Sequence, residues 1–108
     1  MLATAKFRAT RKGLPFNLTA EFLERVCASG VCAYCEVPVI HGGKGRHPNS
    51  GELDRVDPAL GYVKGNVVVA CHCCNQYKSD LMPEQLRGLA RLADQIEAVQ
   101  KGRHLIMR

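Results

Sequence analysis

The chain has 108 residues, a net charge of +5, a pI near 9.0, six cysteines and no tryptophan. That length implies one small domain whose single core is only marginally stabilising. No apolar run is long enough for a secretory core or a membrane span, so the sequence predicts no membrane partner and argues against disulfides. The basic excess suits an anionic partner such as nucleic acid, because Lys and Arg release counterions from phosphate. A solvated basic surface with no partner would give the same count.

Residues 1–16 show no clear periodicity, and Gly13 and Pro15 punctuate them, so they read as arm and loop. Lys6, Arg8, Arg11 and Lys12 fall in a first stretch of twenty residues without an acid. Such a stretch faintly resembles an organelle transit segment. The preferred reading is a basic arm that contacts phosphate. The predicted division is therefore an arm over 1–16 and one folded domain over 17–108.

A helix is predicted from Thr19. Thr19 can cap it, Glu21 lies in the first turn where the helix dipole favours an acid, and Leu18 and Leu23 occupy the positions of a hydrophobic staple. Phe22, Leu23, Val26 and Cys27 form one apolar face, and Ser29-Gly30 ends the helix. A tight Cys32-to-Cys35 knuckle comes next. The Gly-rich, basic stretch from His41 to Gly51 reads as an exposed loop. Leu53 and Val56 frame a short strand carrying Asp54 and Arg55, and Pro58 to Gly61 makes a turn. Val67-Val68-Val69-Ala70 is a second strand, antiparallel to the first. A short helix is predicted from about His72 to Ser79. Pro83 opens a last helix, whose Leu86, Leu89, Ala93 and Ile96 recur at helical spacing. This helix is expected to pack over the N-terminal helix or the hairpin.

The chemistry sits in the cysteines. Cys32-x2-Cys35 and Cys71-x2-Cys74 are two pairs separated by a long insert. Tetrahedral zinc takes four soft or imidazole ligands, and each pair supplies two at a suitable bite. A thioredoxin-like redox pair would need a βαβ context that is missing here. His72 and Cys73 lie inside the second pair, but the x2 spacing favours Cys71 and Cys74. With four protein ligands there is no open position, so this zinc is structural. The fold class expected is α+β: a small zinc-stapled ββα-metal domain, treble-clef-like, with flanking helices.

The stretch LDRVDPALGYVKGNVVVACHCCNQYK resembles the zinc-containing HNH endonucleases, especially small phage-type members. The likeness covers about residues 32–78. It implies that Asp54 is the first ligand of a catalytic divalent ion, Mg²⁺ or Mn²⁺, and that Asn75 is the second. It also implies that Asn66 braces the loop and helps orient the general base. Asp and Asn are oxygen donors, which suits these ions with water and phosphate oxygens completing the shell. The family's base histidine is replaced by Arg55. A guanidinium cannot accept a proton, though it could clamp the scissile phosphate. The base would then be His47, His41, His72 or a metal-bound water, with His47 favoured because it leads into Asp54. Lys64, Lys78 and Arg46 are expected on phosphate. The resemblance implies a DNA endonuclease, cytoplasmic in a bacterial host or phage-encoded, acting as a homodimer or beside phage packaging machinery. The alternative is a zinc-stabilised nucleic-acid-binding module without catalysis. A third reading, an adaptor whose last helix docks a protein, rests only on the amphipathic stripe of that helix.

Overall fold

A computed structural model describes residues 1–42 and 47–106, with side chains described through residue 102. The order is α1 (Leu2–Lys12), α2 (Ala20–Cys27), β1 (Gly51–Arg55), β2 (Val67–Cys71), α3 (His72–Lys78) and α4 (Pro83–Ile106). The predicted α+β class is observed: one two-stranded antiparallel sheet with helices around it.

The first element departs from the sequence reading. Residues 2–12 are a helix and not an arm. Ala5 and Ala9, four residues apart on one face, are buried in the core with Leu18, Leu23, Tyr62 and Val67. Alanine has the strongest helix propensity, and its small size lets the helix approach closely. Gly13 ends α1 in the left-handed region at φ 66°. Its N–H donates to Thr10 O, and Leu14 N–H donates to Ala9 O, the two bonds of a Schellman cap.

The second helix agrees with the prediction. The Thr19 hydroxyl accepts from Phe22 N at 3.2 Å, and Leu18 and Leu23 are both buried. Beyond it, Cys32 N donates to Val37 O and Ala33 N to Val69 O, so the first knuckle is stitched to β2.

In the hairpin, Asp54 faces Val68 and Gly51 faces Cys71. The strand connection is pinned at its base. Gly61 has φ +86°, and a Cβ there would fall 2.6 Å from Pro15 O, so only glycine fits. Tyr62 N donates to Pro15 O, Asn17 N donates to Tyr62 O, and Tyr62 is buried.

The core is split. One cluster is aliphatic and aromatic, built by α1, α2, Tyr62 and Val67. In the other, the buried members are Cys32, Ala70 and Cys71, with Val37, Val39, Cys73 and Cys74 packed against them. That second cluster is mostly sulfur.

The last helix corrects a second expectation. It does not pack over α2 or the hairpin. Leu89, Leu92, Ile96 and Val99 are all about half exposed, and the molecule is elongated, 60 × 29 × 22 Å. Helix α1 already covers the aliphatic core that α4 was expected to close. None of the described helices is long and apolar enough to cross a membrane.

Candidate functional site

The four predicted cysteines converge. The Sγ atoms of Cys32, Cys35, Cys71 and Cys74 all lie within 4.8 Å of one another, and Cys35 and Cys71 are 3.7 Å apart. A tetrahedral ion with metal–sulfur bonds of about 2.3 Å needs sulfur–sulfur edges of about 3.8 Å. The four thiols are therefore positioned to hold one metal ion. Backbone N–H groups support them: Tyr34 N donates to Cys32 Sγ and Cys74 N donates to Cys71 Sγ, both at 3.4 Å. Burial would raise the Cys32 thiol, but N–H groups of Cys35, Cys71 and Tyr34 outweigh it and bring its pKa down to about 6. Burial and the neighbouring sulfurs of Cys35, Cys71 and Cys32 push Cys74 up instead. Four crowded sulfurs cannot all ionise unaided, and a cation at their centre removes that conflict. Cys27 stays outside the group, as its place on the α2 core face predicts.

The cysteine cluster also sets the next helix. Cys71 closes β2 and caps α3, so His72, Asn75 and Lys78 rise from the knuckle on one helix face at three-residue steps. That face meets β1, where Glu52 and Asp54 alternate onto the same side.

Asp54 is buried in this seam. It accepts from the Tyr34 hydroxyl at 2.5 Å, and Lys78 Nζ lies 3.3 Å from its Oδ2. Burial first, and then the Asp54 carboxylate, raise the Tyr34 phenol, so it stays a proton donor. Lys78 also donates to Arg55 O at 3.0 Å, and its side chain is only 13% exposed. Lys78, expected on phosphate, is turned inward toward Asp54 and the Arg55 carbonyl. Asn75 donates its Nδ2 to Glu52 Oε1, and His72 Nδ1 lies against Glu52 Oε2, both at 2.8 Å. Glu52 and Tyr34 were not singled out from the sequence. Glu52 was legible only as the residue two before Asp54 on a strand, and Tyr34 carried no signal.

Arg55 forms no pair with Asp54. It stacks over the Tyr62 ring at 5.2 Å, donates to Pro58 O, and sits 3.5 Å from Asp80 Oδ1. Asn66 braces the strand connection: its Oδ1 accepts from Asp57 N, and its Nδ2 donates to Asp57 O and Gly61 O, all between 2.8 and 2.9 Å. Asp57 also accepts from Ala59 N, which makes it the turn residue expected before Pro58.

Asp54, Arg55 and Asn75 line one cavity of about 420 Å³, walled on its far side by α1. A neighbouring cavity of about 550 Å³ is lined by Glu52, Asn75 and His41 among others. His41 lies over Gly51, where a Cβ would meet its ring at 2.8 Å. His47 lines neither cavity. Its Nδ1 accepts from Asn49 N within an exposed turn. Lys64 is exposed. Arg46 lies outside the described residues.

Comparison with known proteins adds a neighbour in structure. A solved chain of the rare-cutting HNH restriction endonuclease PacI superposes with a TM-score of 0.58 at 25% identity, over 94% of this chain and 77% of that one. The fold is HNH-like. In sequence, the chain is 36% identical over 76 residues to the uncharacterized protein R423 of Acanthamoeba polyphaga mimivirus. It is 32% identical over 78 residues to an uncharacterized 29.0 kDa protein in the dda-modA intergenic region of Enterobacteria phage T4. These matches cover 70% and 72% of this chain but span only 13% and 30% of the two relatives. No family model matches.

The donor chemistry around Asp54 fits a hard divalent ion. Asp54 and Asn75, both side chains with oxygen donors, line one cavity, and an ion there would displace the Lys78 ammonium from the Asp54 carboxylate. Among the described residues, the four cysteines are the one group of three or more His, Cys, Asp or Glu atoms close enough to hold an ion. An ion at Asp54 would therefore rest largely on water and substrate oxygens, which is the usual habit of Mg²⁺.

Proposed function

We propose that this chain is an HNH-type endonuclease unit that hydrolyses phosphodiester bonds in DNA. The observation that carries the reading is the shared cavity of Asp54 and Asn75, on a hairpin and helix joined by a four-cysteine metal site. Zinc suits the four thiolates and is structural. Asp54 and Asn75 would hold Mg²⁺ or Mn²⁺, which supplies stabilisation of the leaving oxygen and of charge on the scissile phosphate. Asp54 is oriented by its buried position and by the Tyr34 hydrogen bond. Arg55 presents one edge to the cavity while Tyr62 and Pro58 hold its plane. Among the histidines, His41 is better placed than His47 to accept the proton of the attacking water, because His41 lines the neighbouring cavity that Asn75 also lines. A second reading, a zinc-stapled DNA binder without cleavage, is favoured by the Lys78–Asp54 ion pair, which occupies the carboxylate.

Supercoiled plasmid with Mg²⁺ or Mn²⁺ at low salt separates the two. Nicking is expected from the wild type, with at least a ~100-fold loss in Asp54→Ala, since an ion-positioning group is removed. Binding without nicking in both proteins would establish the second reading.

We also propose that two copies pair through α4. Leu89, Leu92, Ile96 and Val99 advance by the alternating three- and four-residue steps of a helix-pairing seam. Gly88, Ala93, Gln95 and Gln100 flank that seam without charge, while Arg87, Arg91, Asp94, Glu97 and Lys101 lie away from it. Along Leu89 to Val99, among the described residues, a second copy therefore meets no like charge. Light scattering should give twice the 11.9 kDa chain mass, and Leu92→Glu with Ile96→Glu should return it to the monomer. A monomeric wild type would overturn the pairing.

A further inference from the structure

The cavity at Asp54 has two unlike walls. On the hairpin and α3 wall, the acids already have cationic partners: Asp54 has Lys78 and Asp80 has Arg55. On the α1 wall stand Arg8, Arg11 and Lys12; the last two lie three and four residues after Arg8, so all three border one face. None of these three has an ion-pair partner among the described residues. Arg11 is steadied by the Phe7 ring, 5.8 Å from its guanidinium. The helix beneath them is rigidly set, because Ala5 and Ala9 are buried and Gly13 caps its end.

The two cavities share Arg8, Leu53, Tyr62 and Asn75. They are therefore one trough, running between α1 and the hairpin, with Arg8 at its middle. Opposite α1, the trough carries three carboxylates, Asp54, Asp80 and Glu52, each facing a basic side chain (Lys78, Arg55 and His72), so the unpaired cations of α1 are left to suit a linear anion whose reacting centre faces the oxygen donors. A phosphodiester backbone has that form. The C-terminal end of a helix carries partial negative charge, so the backbone of α1 cannot attract phosphate there. The attraction has to come from the three side chains.

We propose that Arg8, Arg11 and Lys12 form a phosphodiester-binding rail that holds the nucleic-acid backbone against Asp54 and Asn75. This rests on the endonuclease reading for its substrate but is tested separately from it. The rail goes beyond the hairpin–helix motif, since it assigns substrate binding to an element outside that motif.

The test measures binding of a mixed-sequence DNA duplex by the zinc-loaded full chain, without added Mg²⁺ or Mn²⁺, across a salt series. The variant is Arg8→Ala, Arg11→Ala and Lys12→Ala together. These side chains are exposed and alanine favours helix, so the melting temperature should hold. The control removes the same charge from α4 by Arg87→Ala, Arg91→Ala and Lys101→Ala. The α1 variant should bind at least ~10-fold more weakly, with a salt slope shallower by about 2–3, as expected for three lost phosphate contacts. Arg8→Lys with Arg11→Lys should restore most of the affinity. The α4 control should stay within about twofold of wild type. An unchanged slope in the α1 variant, or an equal loss in the control, would overturn the rail. If the wild type binds through α1 but never cuts DNA with Mg²⁺ or Mn²⁺, the endonuclease reading fails and the rail stands.

Discussion

Stripping metal from the four-cysteine site, or replacing Cys71 with serine, is expected to abolish the cooperative melt of the domain. The reason lies in the split core. The cluster that joins the first knuckle, β2 and α3 has Cys32, Ala70 and Cys71 as its buried members. Cys32 and Ala70, both small, are its most deeply buried members. Thiols, one methyl and the partly buried Val37 and Val39 bury too little apolar surface to hold three segments together, at about 25 cal/mol per Å². Structural zinc contributes about 10–16 kcal/mol in small zinc modules, comparable to the whole ~5–15 kcal/mol stability of a domain. Circular dichroism with and without a strong chelator checks this directly, beside elemental analysis for one zinc per chain. Cys27→Ser serves as control: Cys27 is only partly buried and lies outside the cluster. It should keep both the zinc and the cooperative transition. A Cys71→Ser protein that melts like the wild type would remove the metal from the account of the fold.

The same split explains which features are legible in the sequence and which are not. Cysteine spacing is a local signal, and the cluster it implies is present in full. The Thr19 cap, the valine run of β2 and the turn at Asp57-Pro58 are also local, and each is readable. The bracing role of Asn66 comes from the family resemblance, and its partners Asp57 and Gly61 lie nine and five residues away. Helix α1 escapes a periodicity reading because its buried face is two alanines, which give almost no hydrophobic contrast against Thr4, Lys6 and Thr10. Its Gly13 reads as a breaker, though the same glycine is the helix cap. Lys78 and Glu52 depend on pairings across twenty residues or more, which no window along the chain reports. Helix α4 is legible from periodicity alone, and periodicity marks an apolar face without saying what covers it.

Asn75→Ala should eliminate cleavage while leaving the fold in place, and this distinguishes a ligand from a structural residue. Asn75 comes directly after Cys74, so the metal-bound knuckle fixes its backbone whatever its side chain does. Its amide has two ends. The Nδ2 donates to Glu52 Oε1 at 2.8 Å, and the substitution loses that bond. A hydrogen bond to a charged group is worth about 1.5–3 kcal/mol. Glu52 keeps its contact with His72, and the seam is partly exposed, so water can replace the amide. The melting temperature should therefore fall by only a few degrees. Its oxygen end is the one proposed to hold the ion with Asp54. Plasmid nicking should fall at least ~100-fold, and duplex binding through α1 should be unchanged. A variant that unfolds would make Asn75 a structural residue of the Glu52 seam. A folded variant that still cuts would move the ion away from Asn75.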